Sequence, residues 1–227
     1  MKLSRSKIEL FLECPRCFWL DVVKHIKRPP GFPFTLNNAV DTLLKKEFDI
    51  HRAAKTTHPL MKQYGIKAVP LAHEFIDKWR ANFTGISFDH KKSGIQFYGA
   101  IDDVWINKKG ELHIVDYKAT STQEEITLEA EYRQGYKRQM EMYQWLFRHN
   151  GFAVSDTGYF VYCNGRKDKK AFDGKLEFDI QIIPYTGSDK WVEKALIDAS
   201  KCTKAKTTPK SSPTCEYCSY SEARKKI

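Results

Sequence analysis

One run, residues 94–118, constrains the fold more than any other part of the chain. It reads Gly-Ile-Gln-Phe-Tyr-Gly-Ala-Ile-Asp-Asp-Val-Trp-Ile-Asn-Lys-Lys-Gly-Glu-Leu-His-Ile-Val-Asp-Tyr-Lys. The pattern predicts two adjacent strands joined by a tight turn at Lys108-Lys109-Gly110-Glu111. The first strand carries Asp102 and Asp103, and the second ends in Asp116-Tyr117-Lys118. Side chains alternate along a strand, so Asp116 and Lys118 share a face. Ile114 and Val115 make the approach to Asp116 apolar, and charges are costly to bury there. A divalent cation with an anionic substrate offsets that cost, and cleavage of a phosphodiester is the chemistry that fits. Mg²⁺ takes one or two carboxylates, several waters and phosphate oxygens. Asp102 and Asp116 are its expected ligands, with the Tyr117 carbonyl as a further one. Lys118 is placed to orient the attacking water or to neutralise developing negative charge.

Helical spacing organises the residues before this run. Ser4 or Ser6 suits an N-cap, and Ile8, Phe11, Leu12, Phe18, Trp19 and Val22 recur at helical spacing as far as about Lys24. Cys14-Pro15 marks a break or a second helix start. A helix is expected over 36–52 with Val40, Leu43, Leu44 and Phe48 on its apolar face, then a polar irregular stretch over 53–65 and a helix over 71–83. Beyond the hairpin, 120–127 reads as a loop. A long helix over 129–149 follows, carrying Tyr132, Tyr136, Met140, Tyr143 and Phe147, and Asn150-Gly151 stops it. Gln139 interrupts that stripe and shares a face with Tyr143, four residues on. Strands over 158–163 and 176–185 and a helix over 189–200 complete an α/β pattern, a mixed sheet of about four strands flanked by helices. A single domain over 1–227 is expected, with 94–185 as its sheet core.

The tail, 201–227, is rich in Lys, Thr, Ser and Pro and would be loose without a staple. Two Cys-x-x-Cys pairs, Cys14/Cys17 and Cys215/Cys218, supply one. Four thiolates suit tetrahedral zinc or a [4Fe–4S] cluster, and one shared centre would clip 1–24 to 201–227. Cys202 is a possible substitute ligand. Cys163, on a strand rich in Tyr and Phe, reads as a buried small apolar residue.

The net charge is +10, from 38 Lys and Arg against 28 Asp and Glu, which favours a polyanionic partner through counterion release. Basic residues gather at 24–28, 45–46, 91–92, 166–170, 201–210 and 224–226, with Trp19, Tyr217 and Tyr220 near some of them. Such surfaces can track phosphates and stack bases. No apolar run reaches the roughly 18 residues of a membrane helix, and the N-terminal segment lacks a signal-like apolar stretch. A cytoplasmic protein without a membrane partner is expected.

Ile101-Asp102, Val115-Asp116-Tyr117-Lys118 and Gln139-Met-Glu-Met-Tyr143, in that order, resemble the PD-(D/E)XK nuclease superfamily. More closely they resemble its RecB-type branch, which includes iron–sulfur CRISPR-associated nucleases and AddB-type helicase–nucleases. The N-terminal Leu3-Ser-Arg-Ser-Lys-Ile-Glu-Leu-Phe-Leu-Glu-Cys14-Pro15-Arg16 and the C-terminal Cys215-Glu-Tyr-Cys218-Ser-Tyr220 look like that branch too.

The resemblance implies a restriction-endonuclease-like fold and a Mg²⁺- or Mn²⁺-dependent deoxyribonuclease. Asp102 and Asp116 would bind the ion, and Lys118 would be the catalytic lysine. Gln139 and Tyr143 would form an accessory motif that touches DNA. Cys14, Cys17, Cys215 and Cys218 would hold a [4Fe–4S] cluster, with structural Zn²⁺ as the alternative.

The chain departs from the branch in two places. Where the branch usually has a histidine ligand on an early helix, this chain reads Asn37-Asn38-Ala39-Val40-Asp41. Asp41 is the replacement ligand, with Glu47 and His51 as further candidates. The cysteine pattern is two plus two, where iron–sulfur members commonly have one plus three. The expected substrate is DNA, single-stranded or at duplex ends, with unwinding left to a helicase or other DNA-processing partner. A catalytically weak nucleic-acid-binding module on the same scaffold is the alternative reading.

Overall fold

A computed structural model describes residues 1–33, 35–130 and 133–227. The chain runs β1 (Lys2–Ser4), α1 (Arg5–Glu13), α2 (Pro15–Lys24), α3 (Thr35–Ala54), α4 (Pro59–Gln63), β2 (Ala68–Pro70), α5 (Ile76–Arg80), β3 (Ile86–His90) and β4 (Ile95–Gly99). It continues through β5 (Asp103–Asn107), β6 (Leu112–Thr120), α6 (Gln134–His149), β7 (Thr157–Gly165), β8 (Phe178–Thr186), α7 (Val192–Thr203) and α8 (Glu216–Arg224). Local chemistry sets several boundaries. Ser4 Oγ accepts the Lys7 N–H at 3.3 Å and caps α1. Pro15 opens α2, where its missing N–H costs nothing.

Among the described residues the strands form two sheets rather than one of about four strands. One is ordered β1-β4-β3, and the other β2-β5-β6-β7-β8. The larger sheet is antiparallel except between β6 and β7. A parallel neighbour requires a crossover, and α6 lies in it.

Alternation along β6 divides the core. Leu112 and Ile114 belong to an apolar cluster with Met140, Leu146 and Phe147 of α6. Val115 and Tyr117 belong to a second cluster with Leu44 and Phe48 of α3 and Trp105 of β5. Phe48 stacks on Trp105, ring centroids 5.4 Å apart. Helices therefore cover β6 on both faces, and Leu112 to Tyr117 are buried without alternation, His113 and Asp116 included. By the same alternation Asp116 and Lys118 face α6.

The structure departs from the expected elements in several places: β1 and β3 are strands beyond those expected, and the long helix begins at Gln134 instead of near residue 129. The first strand of the expected hairpin is broken: β4 belongs to the small sheet, β5 to the large one, and Ala100, Ile101 and Asp102 cross between them. The turn stands where expected, with Gly110 at φ 79°, a conformation cheap only for glycine. The helix expected over 71–83 shrinks to α5; the Leu71 N–H donates to the Val104 carbonyl at 2.9 Å, carrying the β2–β5 pairing one residue past Pro70. The polar stretch 53–65 contains α4, capped where His58 Nδ1 accepts the Leu60 N–H at 3.1 Å. Leu43 is 63% exposed, so the apolar face of α3 is narrower than its spacing suggests. Tyr132, expected on the long helix, lies with Glu131 outside the described residues. No helix is long and apolar enough to cross a membrane among the described residues.

Candidate active site and cysteine centre

Strand pairing brings the two central carboxylates together. Asp103 pairs with Val115 across β5 and β6, so the antiparallel register sets Asp102 opposite Asp116. Asp102 Oδ2 accepts the Tyr117 N–H at 2.9 Å, which ties the crossing segment to β6. Asp116 is 1% exposed. Its Oδ1 accepts from Gln139 Nε2 at 2.7 Å. Its Oδ2 is ion-paired with the Lys118 ammonium but accepts no hydrogen bond of good geometry. Asp41 on α3 joins through Lys45, whose Nζ is 2.8 Å from Asp41 Oδ2 and 3.5 Å from Asp102 Oδ1. Asp41, Asp102, Asp116, Lys118 and Gln139 line one cavity of about 890 Å³.

The charges perturb one another. Burial pushes the Asp116 carboxyl up to about 6, with Asp102 adding to the rise and Lys118 opposing it. Burial works against the Lys118 ammonium, but Asp116 and Asp102 outweigh it and raise its pKa. Burial and the nearby Asp102 raise Asp41. Lys118 is thus held charged, while Asp116 and Asp41 give up their protons less readily than free carboxyls do.

Tyr143 does not reach the cavity. It is 3% exposed and packs so closely on Gly99 that a Cβ there would stand 2.6 Å from its Cε1. Its hydroxyl lies 3.4 Å from Gln139 Nε2, so its contact with the site is through Gln139, and it exposes almost no surface for DNA to touch. Glu47 and His51 do not line the cavity either. Glu47 pairs with His58 at 2.8 Å, and His51 Nδ1 lies 3.0 Å from Thr56 Oγ1. Of the candidates on α3, Asp41 alone lines the cavity.

Behind the carboxylates lies a network that sequence reading missed. Asp103 is fully buried and is ion-paired with Arg52 and, at 3.1 Å, with Arg80. Its Oδ2 accepts from the Tyr117 hydroxyl at 2.8 Å and its Oδ1 from the Val104 N–H at 2.8 Å. Arg80 Nε donates to the Asp102 carbonyl at 3.0 Å, and its Nη1 to Asp49 at 2.9 Å. Both arginines thus brace the backbone that presents Asp102. The available signal was Asp103 itself, a charge on an apolar strand that must find counterions.

At the other centre, Cys14 precedes α2, Cys17 lies in its first turn, Cys215 precedes α8 and Cys218 lies within it. The four are buried, with ligand atoms all within 4.8 Å of one another. Measured separations are 3.8 Å for Cys14–Cys218, 3.6 Å for Cys17–Cys215 and 3.6 Å for Cys17–Cys218. A tetrahedral ion with metal–sulfur bonds of about 2.3 Å requires sulfurs roughly 3.8 Å apart. The donor set therefore fits a single ion. The tail is ordered around this centre: Trp19 Nε1 donates to the Ala205 carbonyl at 3.3 Å and Arg16 Nε to the Pro209 carbonyl at 3.1 Å. Cys202 stands apart, with Sγ 3.7 Å from the Pro15 carbonyl. Cys163 is 2% exposed, and burial pushes its thiol up to about 11.

The cysteines are the one group of three or more His, Cys, Asp or Glu among the described residues with ligand atoms gathered at this spacing. At the other site, what fits a divalent ion is the donor set, carboxylates of Asp41, Asp102 and Asp116 lining one cavity as hard oxygen ligands.

The family model of the PD-(D/E)XK nuclease superfamily matches residues 2–223. The crystal structure of SSO0001 is a similar solved structure: 14% identity, 97% of this chain and 84% of that chain covered, TM-score 0.46. A search of curated proteins finds no match.

Proposed function

The chain belongs to the PD-(D/E)XK nuclease superfamily, and from that premise we propose that it hydrolyses DNA phosphodiester bonds with Mg²⁺ or Mn²⁺. The observation that carries the reading is the buried Asp116–Lys118 pair opposite Asp102 in one open cavity. Asp102 and Asp116 would hold the divalent ion, with Asp41 a further oxygen donor. When bound, the ion supplies a Lewis acid that eases water ionisation and offsets phosphoryl charge. Lys118, beside Asp116 in the cavity, would orient the attacking water or donate to the developing oxyanion. Gln139 keeps Asp116 turned toward the cavity through its 2.7 Å hydrogen bond. The +10 net charge suits a nucleic acid, and single strands or duplex ends are the proposed substrates, delivered by a helicase or other DNA-processing partner.

At the cysteine centre we favour structural zinc over a [4Fe–4S] cluster. Thiolates on a cubane cap four separate irons and must stand well apart, whereas these sulfurs lie at the spacing of ligands to one ion. A colourless protein with one equivalent of zinc supports this; a brown protein with iron and sulfide contradicts it.

Incubation with labelled single- and double-stranded DNA plus Mn²⁺ tests the enzymatic reading. Cleavage that disappears in Asp116→Ala and Lys118→Ala is expected; cleavage unchanged in both would sink the assignment. One observation favours the weaker alternative, a binding module: each carboxylate already has a protein partner. Salt-sensitive DNA binding without Mn²⁺ uptake or cleavage would select it.

A further inference from the structure

Four Lys or Arg residues line the active-site cavity among the described residues: Arg5, Lys45, Arg80 and Lys118. Three are committed. Lys118 is held by Asp116, Lys45 by Asp41 and Asp102, and Arg80 by Asp49 and Asp103. Arg5 makes no hydrogen bond or ion pair with another described residue.

Its position is nevertheless fixed. It opens α1 directly after the Ser4 cap, and Ser4 pairs with Tyr98 of β4. Its Cβ lies 3.4 Å from where a Cβ on Gly99 would stand, so its stem is seated against the start of the segment that carries Asp102. Its positive field reaches both Asp116 and Tyr143.

A cavity bearing three carboxylates repels a phosphodiester unless uncommitted positive charge meets it. We propose that Arg5 is a catalytic residue whose guanidinium grips the non-bridging oxygens of the substrate phosphodiester and stabilises charge developing on them. A planar fork with parallel N–H donors matches those oxygens, as an ammonium does not. The proposal rests on the nuclease reading but concerns a residue outside the acidic and lysine motifs. The other wall cations, already neutralised by their carboxylates, are poor substitutes.

The test uses the full chain and a short labelled single-stranded DNA. Arg5→Ala should cut Mn²⁺-supported cleavage by about 100-fold, the scale of losing one transition-state donor. In EDTA it should reduce the slope of log affinity against log salt by about 0.7, one phosphate contact on a single strand. Mn²⁺ affinity and melting temperature should stay at wild-type values. Arg5→Lys should restore the salt slope but not the rate. Cleavage within about threefold of wild type together with an unchanged slope would overturn the proposal. A lower rate caused by altered Mn²⁺ affinity would overturn it too, because Arg5 would then act only through Asp116. If Arg5→Ala fails to fold, Arg5→Gln carries the same comparison. Should wild type itself fail to cleave, the nuclease reading falls, while the salt slope still decides whether Arg5 touches phosphate.

Discussion

The carboxylate site and the cysteine centre handle crowded negative charge in opposite ways. At the carboxylates the protein brings its own cations: Lys118 to Asp116, Lys45 to Asp41 and Asp102, Arg52 and Arg80 to Asp103. At the cysteines the Arg28 guanidinium stands 3.6 Å from Cys215 Sγ, and the charge of Arg16 reaches Cys14 and Cys218, beside four buried sulfurs. The first arrangement is satisfied without an ion, and a divalent ion binding there would compete with the Lys118 ammonium for Asp116. The second can hold four thiolates only around a metal. They also differ in span: Asp102 and Asp116 sit on paired strands, whereas Cys14 and Cys218 are 204 residues apart. Metal loss should therefore silence one site and undo the architecture around the other.

The largest expected effect breaks the comparison if it fails. Cys218→Ser, or removal of metal by a strong chelator, should cost more than about 5 kcal/mol, since structural zinc contributes roughly 10–16 kcal/mol in small domains. Denaturant unfolding measures it, and a change near zero would mean the cysteines staple nothing. Asp103→Ala should come next. It strands two arginines in the core and should lose about 3–5 kcal/mol, read as a lower denaturation midpoint.

Lys118→Ala should reverse that profile, with cleavage down by about 10²–10³ and a smaller loss of stability than Asp103→Ala, because the Asp116 carboxyl, already raised to about 6, can take up a proton once its partner is gone. Kinetics and unfolding on one preparation separate the two regions. The pH dependence is a finer effect. With Asp116 raised to about 6, the metal-free protein takes up a proton there as pH falls below that value, and Mn²⁺ must displace it. Affinity should climb by about tenfold per unit up to pH 6 and flatten above. A flat profile from pH 5 to 8 would place ion binding elsewhere. Smallest of all, Asp41→Ala should weaken Mn²⁺ binding by only a few-fold, roughly 1 kcal/mol, because Lys45 keeps its contact with Asp102.

Much of this was readable before any coordinates. Asp116 and Lys118 share a face because strand geometry leaves no alternative. Pro15 and Ser4 announced the helix starts they make. The break at Ala100–Asp102 was hidden, because both halves of the run carry strand-like residues and only pairing partners reveal that they join different sheets. Tyr143 is a site residue by the family resemblance alone, and the missing side chain at Gly99 lets it pack into the core, where its place on the apolar stripe of the helix puts it. Arg52 and Arg80 look like surface cations in one dimension. Only the fold shows them meeting Asp103.

Crystals soaked in Mn²⁺ and measured for anomalous scattering test the central claim most directly. The account predicts a manganese peak bridging Asp102 and Asp116, with the Lys118 ammonium swung off its carboxylate partner. Density for manganese anywhere else, with Lys118 still paired to Asp116, would contradict it.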